Sequence, residues 1–459
     1  MKMTARICVL MLSGALAATA CAATSDAAAE SKVVAAVPAG MTSAAAAKGA
    51  ASWPCYRGKN QDSISTEALD THWPDGGPKR LWSAQIWFGY ASLAIAGNRA
   101  YTTGSNGNGS ETCIYCLNLD TGAEIWKTKL PVGKGTGWHG YGSEATPVFD
   151  DKRVYAITPM GVTAAVDIET GKLVWSYDQV EHGVGKNHYG FAASPLLYKD
   201  LIIMNCGIAL KAATGEMAWQ EKNVTNPWFT TPFLFSQDGK DTVIMNSFPP
   251  GKNRLYGINP LTGEELWTFE LSGWPHGNWQ GVSDILRISS DQIFYGNGAL
   301  LKIANNTCSV VNDKLPYSNT YLGNPVFCNG HVFGFSVISG DPPKAADLAA
   351  SRLQCLDLKT GKQSWQKTGM AGTCSIADGK LLIMTAEGKL IVAETSGEAY
   401  KEIVSAKIYE SNMTPDGKTM SGRDGAWIMP ILVNGRIYCR NIRNGMSEIV
   451  CLDVKKAEK

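Results

Sequence analysis

Three histidines, five tryptophans and four charged residues fall in one kind of place in this sequence. They are His139, His188 and His276; Trp87, Trp138, Trp228, Trp279 and Trp427; and Glu144, Lys186, Arg423 and Asp424. All lie in short stretches rich in Gly and aromatics: "IWFGY", "GWHGYGSE", "GKNHYGF", "NPWFTTP", "WPHGNWQG" and "GRDGAW". Aromatic walls with a few convergent polar groups suit a planar or sugar-like ligand, or a peptide. The competing reading is that these residues only pack a mouth and hold loops. Zinc or iron needs several His, Cys or carboxylates in fixed geometry, and no His-Glu-x-x-His or calcium-loop pattern occurs. "GKGTGWHG" lacks Gly-Lys-Ser/Thr and is no phosphate cradle. Ser143 in "GYGSEA" lacks the second Gly of a nucleophile elbow. No catalytic residue and no metal site is therefore assigned.

The twelve cysteines raise redox chemistry. "CIYC", Cys113 to Cys116, has the spacing of a redox pair, but it sits in a strand pattern, and no His follows for haem attachment. Cys116, Cys355 and Cys451 recur at one equivalent place, in "CLNL", "CLDL" and "CLDV". Recurrence at one repeat position marks a small core residue.

The elements that must position these groups are repeats. Thr-Gly-x-x-x-Trp is written five times, ending at Trp126, Trp175, Trp219, Trp267 and Trp365. Ahead of the Thr-Gly signals stand apolar hairpins, among them "TPVFDDKRVYAIT", "NPVFCNGHVFGF" and "MPILVNGRIYCR". Eight such hairpins start between Ser92 and Met429, about 48 residues apart, within the range of four-stranded propeller blades. The pattern predicts an all-β, eight-bladed β-propeller. The last repeat stops at "EIVCLDVKKAEK", after its third strand, and "GGPKRLWSAQI" near the start supplies a strand with Trp82. That N-terminal strand is expected to complete the last blade, since ring closure removes exposed sheet edges. Trp82, Trp126, Trp175, Trp219, Trp267 and Trp365 are expected to dock each blade on its neighbour. Up-and-down blades put the tight turns on one plain face. The blade connections, with the candidate residues, gather on the other.

Repeats of the form "LDLKTGKQSW" resemble the pyrroloquinoline-quinone-type propeller family over roughly residues 52 to 455. That family includes quinoprotein alcohol dehydrogenases and the non-enzymatic propeller lipoprotein of outer-membrane barrel assembly. "WPCYRGKNQDSIST" is similar to the opening segment of an exported bacterial subgroup, and "ADGKLLIMTAEGKLIVAETSGEAYKEI" to its ending. The resemblance implies either a binding scaffold or a quinone-dependent, calcium-assisted oxidoreductase of the periplasm. A carbohydrate-binding or carbohydrate-active propeller is the third reading. The quinoproteins resemble one another in a vicinal Cys-Cys disulfide over the quinone, and no two cysteines are adjacent here. Their calcium-binding and catalytic carboxylates have no recognisable counterparts either. The expectation is a scaffold that does not hold the quinone as a catalytic group.

Lys2 and Arg6 precede the apolar "ICVLMLSGALAATACAA", which reads as a secretory signal peptide over residues 1–22. Cys21 offers a lipid tether as the alternative route. Ala-rich residues 23–51 read as a disordered tether. The propeller is placed at residues 52–459. Without Lys2 and Arg6, 40 basic residues face 41 acidic ones, a net charge of about −1 with no basic run. That balance speaks against nucleic acid. The expected partner is a protein or a small or saccharide ligand, bound by an exported, periplasmic monomer.

Overall fold

Asn329-Gly330, Asp378-Gly379 and Asn434-Gly435 turn with φ of 51° and 78°, 51° and 68°, and 55° and 67°. Positive φ at both central residues matches the right-handed twist of the flanking strands, so these dipeptides make hairpins. Each hairpin continues into a third and a fourth antiparallel strand. The computed structural model describes residues 52–106, 110–135, 143–185, 190–225, 229–247, 254–270, 284–296, 298–317, 323–336, 350–410 and 424–456. Residues 1–51, with the expected signal peptide and tether, lie outside the described residues.

Among the described residues the strands form eight sheets, one per blade. The inner strands run, in chain order, at Ala94–Ala96, Val148–Phe149, Leu196–Tyr198, Phe233–Gln237, Leu286–Arg287, Val326–Cys328, Gly372–Ala377 and Ile431–Val433. The chain is an eight-bladed β-propeller. Blade eight is closed from the N-terminal side: Arg80–Trp87 pairs antiparallel with Met446–Asp453, with Trp82 opposite Cys451.

The repeated Thr-Gly and Trp belong to one device spread over two blades. The indole of Trp126 sits on Gly171 of the next blade, that of Trp175 on Gly215, and that of Trp219 on Gly263; a Cβ on each glycine would lie 2.7 Å from the ring. Trp82 covers Gly122 in the same way, at 2.5 Å. Each indole N–H then donates to a carbonyl just ahead of that glycine: Trp82 to Leu119, Trp126 to Ile168, Trp175 to Ala212 and Trp219 to Pro260. Trp365 donates to Ser396. Trp82, Trp126, Trp219 and Trp267 are buried, whereas Trp175 and Trp365 keep part of their rings in solvent. The turn glycines also hold φ between 70° and 75° at Gly122, Gly171, Gly215 and Gly263. Gly263→Ala meets both obstacles, backbone strain and the Trp219 ring, and is expected to cost about 1–3 kcal/mol. Urea unfolding measures it; a change below about 0.5 kcal/mol would contradict the stacking.

The residue opposite each indole must be small. It is Cys116 for Trp126, Ala165 for Trp175, Ala209 for Trp219, Gly257 for Trp267, Cys355 for Trp365 and Cys451 for Trp82. This accounts for the recurrent cysteines. All ten described cysteines are unpaired thiols, Cys113 and Cys116 included. Burial pushes Cys116, Cys355 and Cys451 up to about 12, far from the thiolate that reacts.

The turn face is not plain at its centre. Residues 52–65 enter the channel there and line it. Ser52–Trp53 pairs with the end of blade one's inner strand, Trp53 opposite Ile95. Ile64–Ser65 runs parallel to the end of blade seven's inner strand, Ile64 opposite Ile376. Between them the chain reverses through Arg57, Gly58, Gln61 and Ser63, all at positive φ. The segment has no strand period, so the repeat pattern gives no sign of it.

Candidate functional site

Every inner strand runs from the connection face toward the turn face. The residue one or two places ahead of it therefore rings the channel at the connection end. In six blades that residue is polar: Ser92, Thr146, Ser194, Thr231, Asp284 and Asn324; blade seven has Thr373 just inside its longer strand. Four of these side chains accept from the preceding blade's backbone. Ser92 N–H donates to Thr146 Oγ1 at 2.9 Å, and Thr146 N–H to Ser194 Oγ at 2.9 Å. Thr231 N–H donates to Asp284 Oδ1 at 2.6 Å, and Asp284 N–H to Asn324 Oδ1 at 2.8 Å. Blade eight has Met429 at this position, and the belt breaks there. Ser92 Oγ and Thr373 Oγ1 are buried without a partner.

A different bond bridges the break. Arg440 of blade eight is 1% exposed and reaches into blade one. Its guanidinium donates to the carbonyls of Ala91, Thr103 and Trp87 and to the hydroxyls of Thr102 and Ser447. Burial with no carboxylate partner pulls it down to about 9, so it stays charged at neutral pH.

The floor of the channel is made by the inserted segment. Asn324 Nδ2 donates to Tyr56 Oη at 2.8 Å and to Asp284 Oδ2 at 2.9 Å. Tyr56 and Asn324 lie among the inner strands and are partly exposed. Burial, then the charge of Asp284, pushes the Tyr56 phenol far up; it remains a neutral donor with no acceptor for its proton among the described residues. Beneath it Arg57 donates to Ile285 O at 2.9 Å, Pro325 O at 3.2 Å and Ser63 Oγ at 3.1 Å. The floor thus offers one phenolic O–H to an oxygen or nitrogen of whatever enters.

Burial raises Asp284 to about 6, against the opposing pull of Arg57. A raised carboxyl favours the folded state while protonated in both states, and that advantage is lost as pH rises from about 4 through about 6. Lowering the pH from 7 to 4 is therefore expected to gain roughly 2 kcal/mol from this group, a gain absent in Asp284→Asn. Parallel pH profiles of urea unfolding for the two proteins would refute the assignment.

Of the twelve sequence candidates, four lie among the described residues. Trp87 ends the outer strand of blade eight, half-buried, with Lys127 Nζ 3.9 Å from its ring centroid. Glu144 is half-buried at the junction of blades one and two. Asp424 is 3% exposed; its Oδ2 accepts from Asn444 N–H at 3.1 Å, and its Oδ1 has no partner. Trp427 is buried against Ala371, Ala386 and Tyr90, and donates to Asp424 O at 3.3 Å. Trp427 and Asp424 thus sit together at the mouth of blades seven and eight, and Tyr90, packed on Trp427, donates its N–H to Ser143 O beside Glu144. Trp138, His139, Lys186, His188, Trp228, His276, Trp279 and Arg423 lie outside the described residues. Sequence reasoning passed over Tyr56, Arg57, Gln61, Asp284, Asn324 and Arg440. The recurring Ser/Thr/Asn-Pro ahead of the inner strands was a readable signal for the belt; the partners of Arg57 and Arg440 left none.

Among the described residues no three His, Cys, Asp or Glu gather to hold a metal ion.

The family model described as outer membrane protein assembly factor BamB matches residues 74–231 and 110–367. No curated protein matches the chain. Among solved structures, quinohemoprotein alcohol dehydrogenase from Comamonas testosteroni is similar with a TM-score of 0.64 and 15% identity, over 89% of this chain and 81% of that one. A europium-containing methanol dehydrogenase follows with a TM-score of 0.53 and 12% identity, over 85% and 89%. BamB from Moraxella catarrhalis matches with a TM-score of 0.49 and 15% identity, over 83% and 99%. At these identities the likeness of the structures is one of fold.

Proposed function

Because the chain belongs to the family described as outer membrane protein assembly factor BamB, we propose that it is an exported, periplasmic binding scaffold. Its ligand or protein partner docks on the connection face. The observation that carries this reading is the Tyr56 phenol in the channel. Residues 52–65 enter from the turn-face end, and Tyr56 meets Asn324 ahead of blade six's inner strand, where both keep some exposed surface. A phenolic donor inside the channel suits recognition of a peptide or a saccharide.

The reading separates from an oxidoreductase in one experiment. Purified protein is mixed with pyrroloquinoline quinone and calcium, and absorbance, heat and dye-linked alcohol or sugar oxidation are followed. The scaffold reading expects neither stoichiometric uptake nor turnover; stoichiometric binding with turnover overturns it. The same protein is then titrated with extended peptides and with oligosaccharides. Binding to one class is expected, weakened at least about tenfold by Tyr56→Phe or Trp279→Ala, a loss near 1.4 kcal/mol.

A further inference from the structure

We propose that the channel is a peptide receptor, entered from the turn face and filled in cis by the chain's own residues 52–75. The contacts are those of a ligand in a site rather than of a strand in a sheet. Only Ser52–Trp53 and Ile64–Ser65 pair as strands, two residues each. Past Ser65, Asp70 N–H donates to Val454 O and Leu69 is buried in the core of blades seven and eight; residues 55–61 reach separate blades through their side chains. Gln61 clamps blade four from both sides: its Nε2 donates to Pro232 O at 2.9 Å, and its Oε1 accepts from Leu234 N–H at 3.0 Å. Arg57 holds one carbonyl of blade five and one of blade six, Ile285 O and Pro325 O. Trp53 is 3% exposed in the core shared by blades one and eight, and Cys55 packs beside Val148 and Leu197 of blades two and three.

The receptor reads an arginine. Two backbone carbonyls aimed into the channel make a neutral, rigid acceptor pair. A guanidinium spans them with two N–H groups in fixed geometry, which a lysine cannot do. Gly58 follows at φ 78° with the Trp53 ring 3.2 Å from where a Cβ would be, so the loop must turn at a glycine. The fitting occupant is therefore a hairpin-like peptide with an aromatic anchor and Arg-Gly at its tip.

The filler is joined to the ring by a link that contributes little. Pro74, Asp75 and Gly76 are exposed and outside any strand, and a Cβ on Gly76 would meet open space. A short flexible link holds the segment at a local concentration of about millimolar. That excludes competing peptides until the link is cut or the segment is drawn out.

A protease site inserted between Asp75 and Gly76 of the full chain tests this. After cleavage the N-terminal fragment is expected to stay bound through gel filtration. It should exchange with a fluorescein-labelled peptide of residues 52–75. The Arg57→Ala peptide should bind at least about 100-fold more weakly, the loss of two to three hydrogen bonds. The uncut protein should take up no labelled peptide. Three results would overturn the proposal: a ring that unfolds once the fragment leaves, as read by circular dichroism; a folded ring that does not take up the peptide; or equal affinity of the two peptides. The first would make the segment part of the fold, and the others would remove the receptor.

Discussion

A chain shortened through Ser83 is expected to aggregate, whereas one shortened through Ala50 keeps its thermal midpoint within about 2 °C. The longer cut removes four contributions together. It takes away the outer strand's pairing from Arg80 to Ser83 with Val450 to Leu452. It removes the Trp82 indole from Gly122 and its hydrogen bond to Leu119. It empties the channel of Arg57 and Gln61, leaving Ile285 O, Pro325 O and Pro232 O without their donors. Finally it bares the edge of the last strand from Val450 to Asp453, which then templates pairing with another chain. Each orphaned buried carbonyl costs about 1–3 kcal/mol, and a domain's whole stability is about 5–15 kcal/mol, so the sum exceeds what the ring holds. Soluble yield, gel filtration and calorimetry of the two truncations measure it. Equal midpoints would mean that the N-terminal strand is dispensable for closure.

Arg440→Met should be the most damaging single substitution, at about 4–6 kcal/mol in urea unfolding. Methionine matches the aliphatic stem of arginine but donates nothing. The carbonyls of Ala91 and Thr103 and the hydroxyls of Thr102 and Ser447 then lose a common donor inside the seam between the last blade and the first. The belt of ring side chains does not cover this seam, since Met429 offers no oxygen to it. Arg440→Lys restores one donor of several and should recover about a third of the loss. A Met variant within about 1 kcal/mol of the parent would show that the seam holds by apolar packing alone.

The ring was legible because its signals are local and repeated. Hairpin turns such as Asn434-Gly435 and the Thr-Gly/Trp spacing state a blade within a few dozen residues, and eight copies state the fold. The partner of each Trp was half-legible: the sequence says that the indole docks on a neighbour, but not that it lies on that neighbour's turn glycine. Cys116, Cys355 and Cys451 were readable as core residues from recurrence, and the reason is the indole across the strand. The channel was illegible for a physical cause. Arg57 and Arg440 bond backbone carbonyls, and every residue carries one, so no side-chain pattern marks the partner. Arg57 lies 228 residues from Ile285, and Arg440 lies 349 from Ala91. The connection-face candidates rest on residue type, and of those described Asp424 and Trp427 are in direct contact.

The central claim is a channel filled by its own chain, which enters at the turn face. Hydrogen exchange of the native protein, read by mass spectrometry on peptides covering residues 52–65, tests it most directly. The amides of Gly58, Gln61 and Ser63 bond Cys55 O, Gly58 O and Arg57 O within the channel. They are expected to exchange at least about a hundredfold more slowly than the exposed amides of Asp75 and Gly76, only when the segment leaves the channel. Exchange of these amides within seconds, at the rate of Asp75 and Gly76, would show a segment lying outside the ring and would contradict the account.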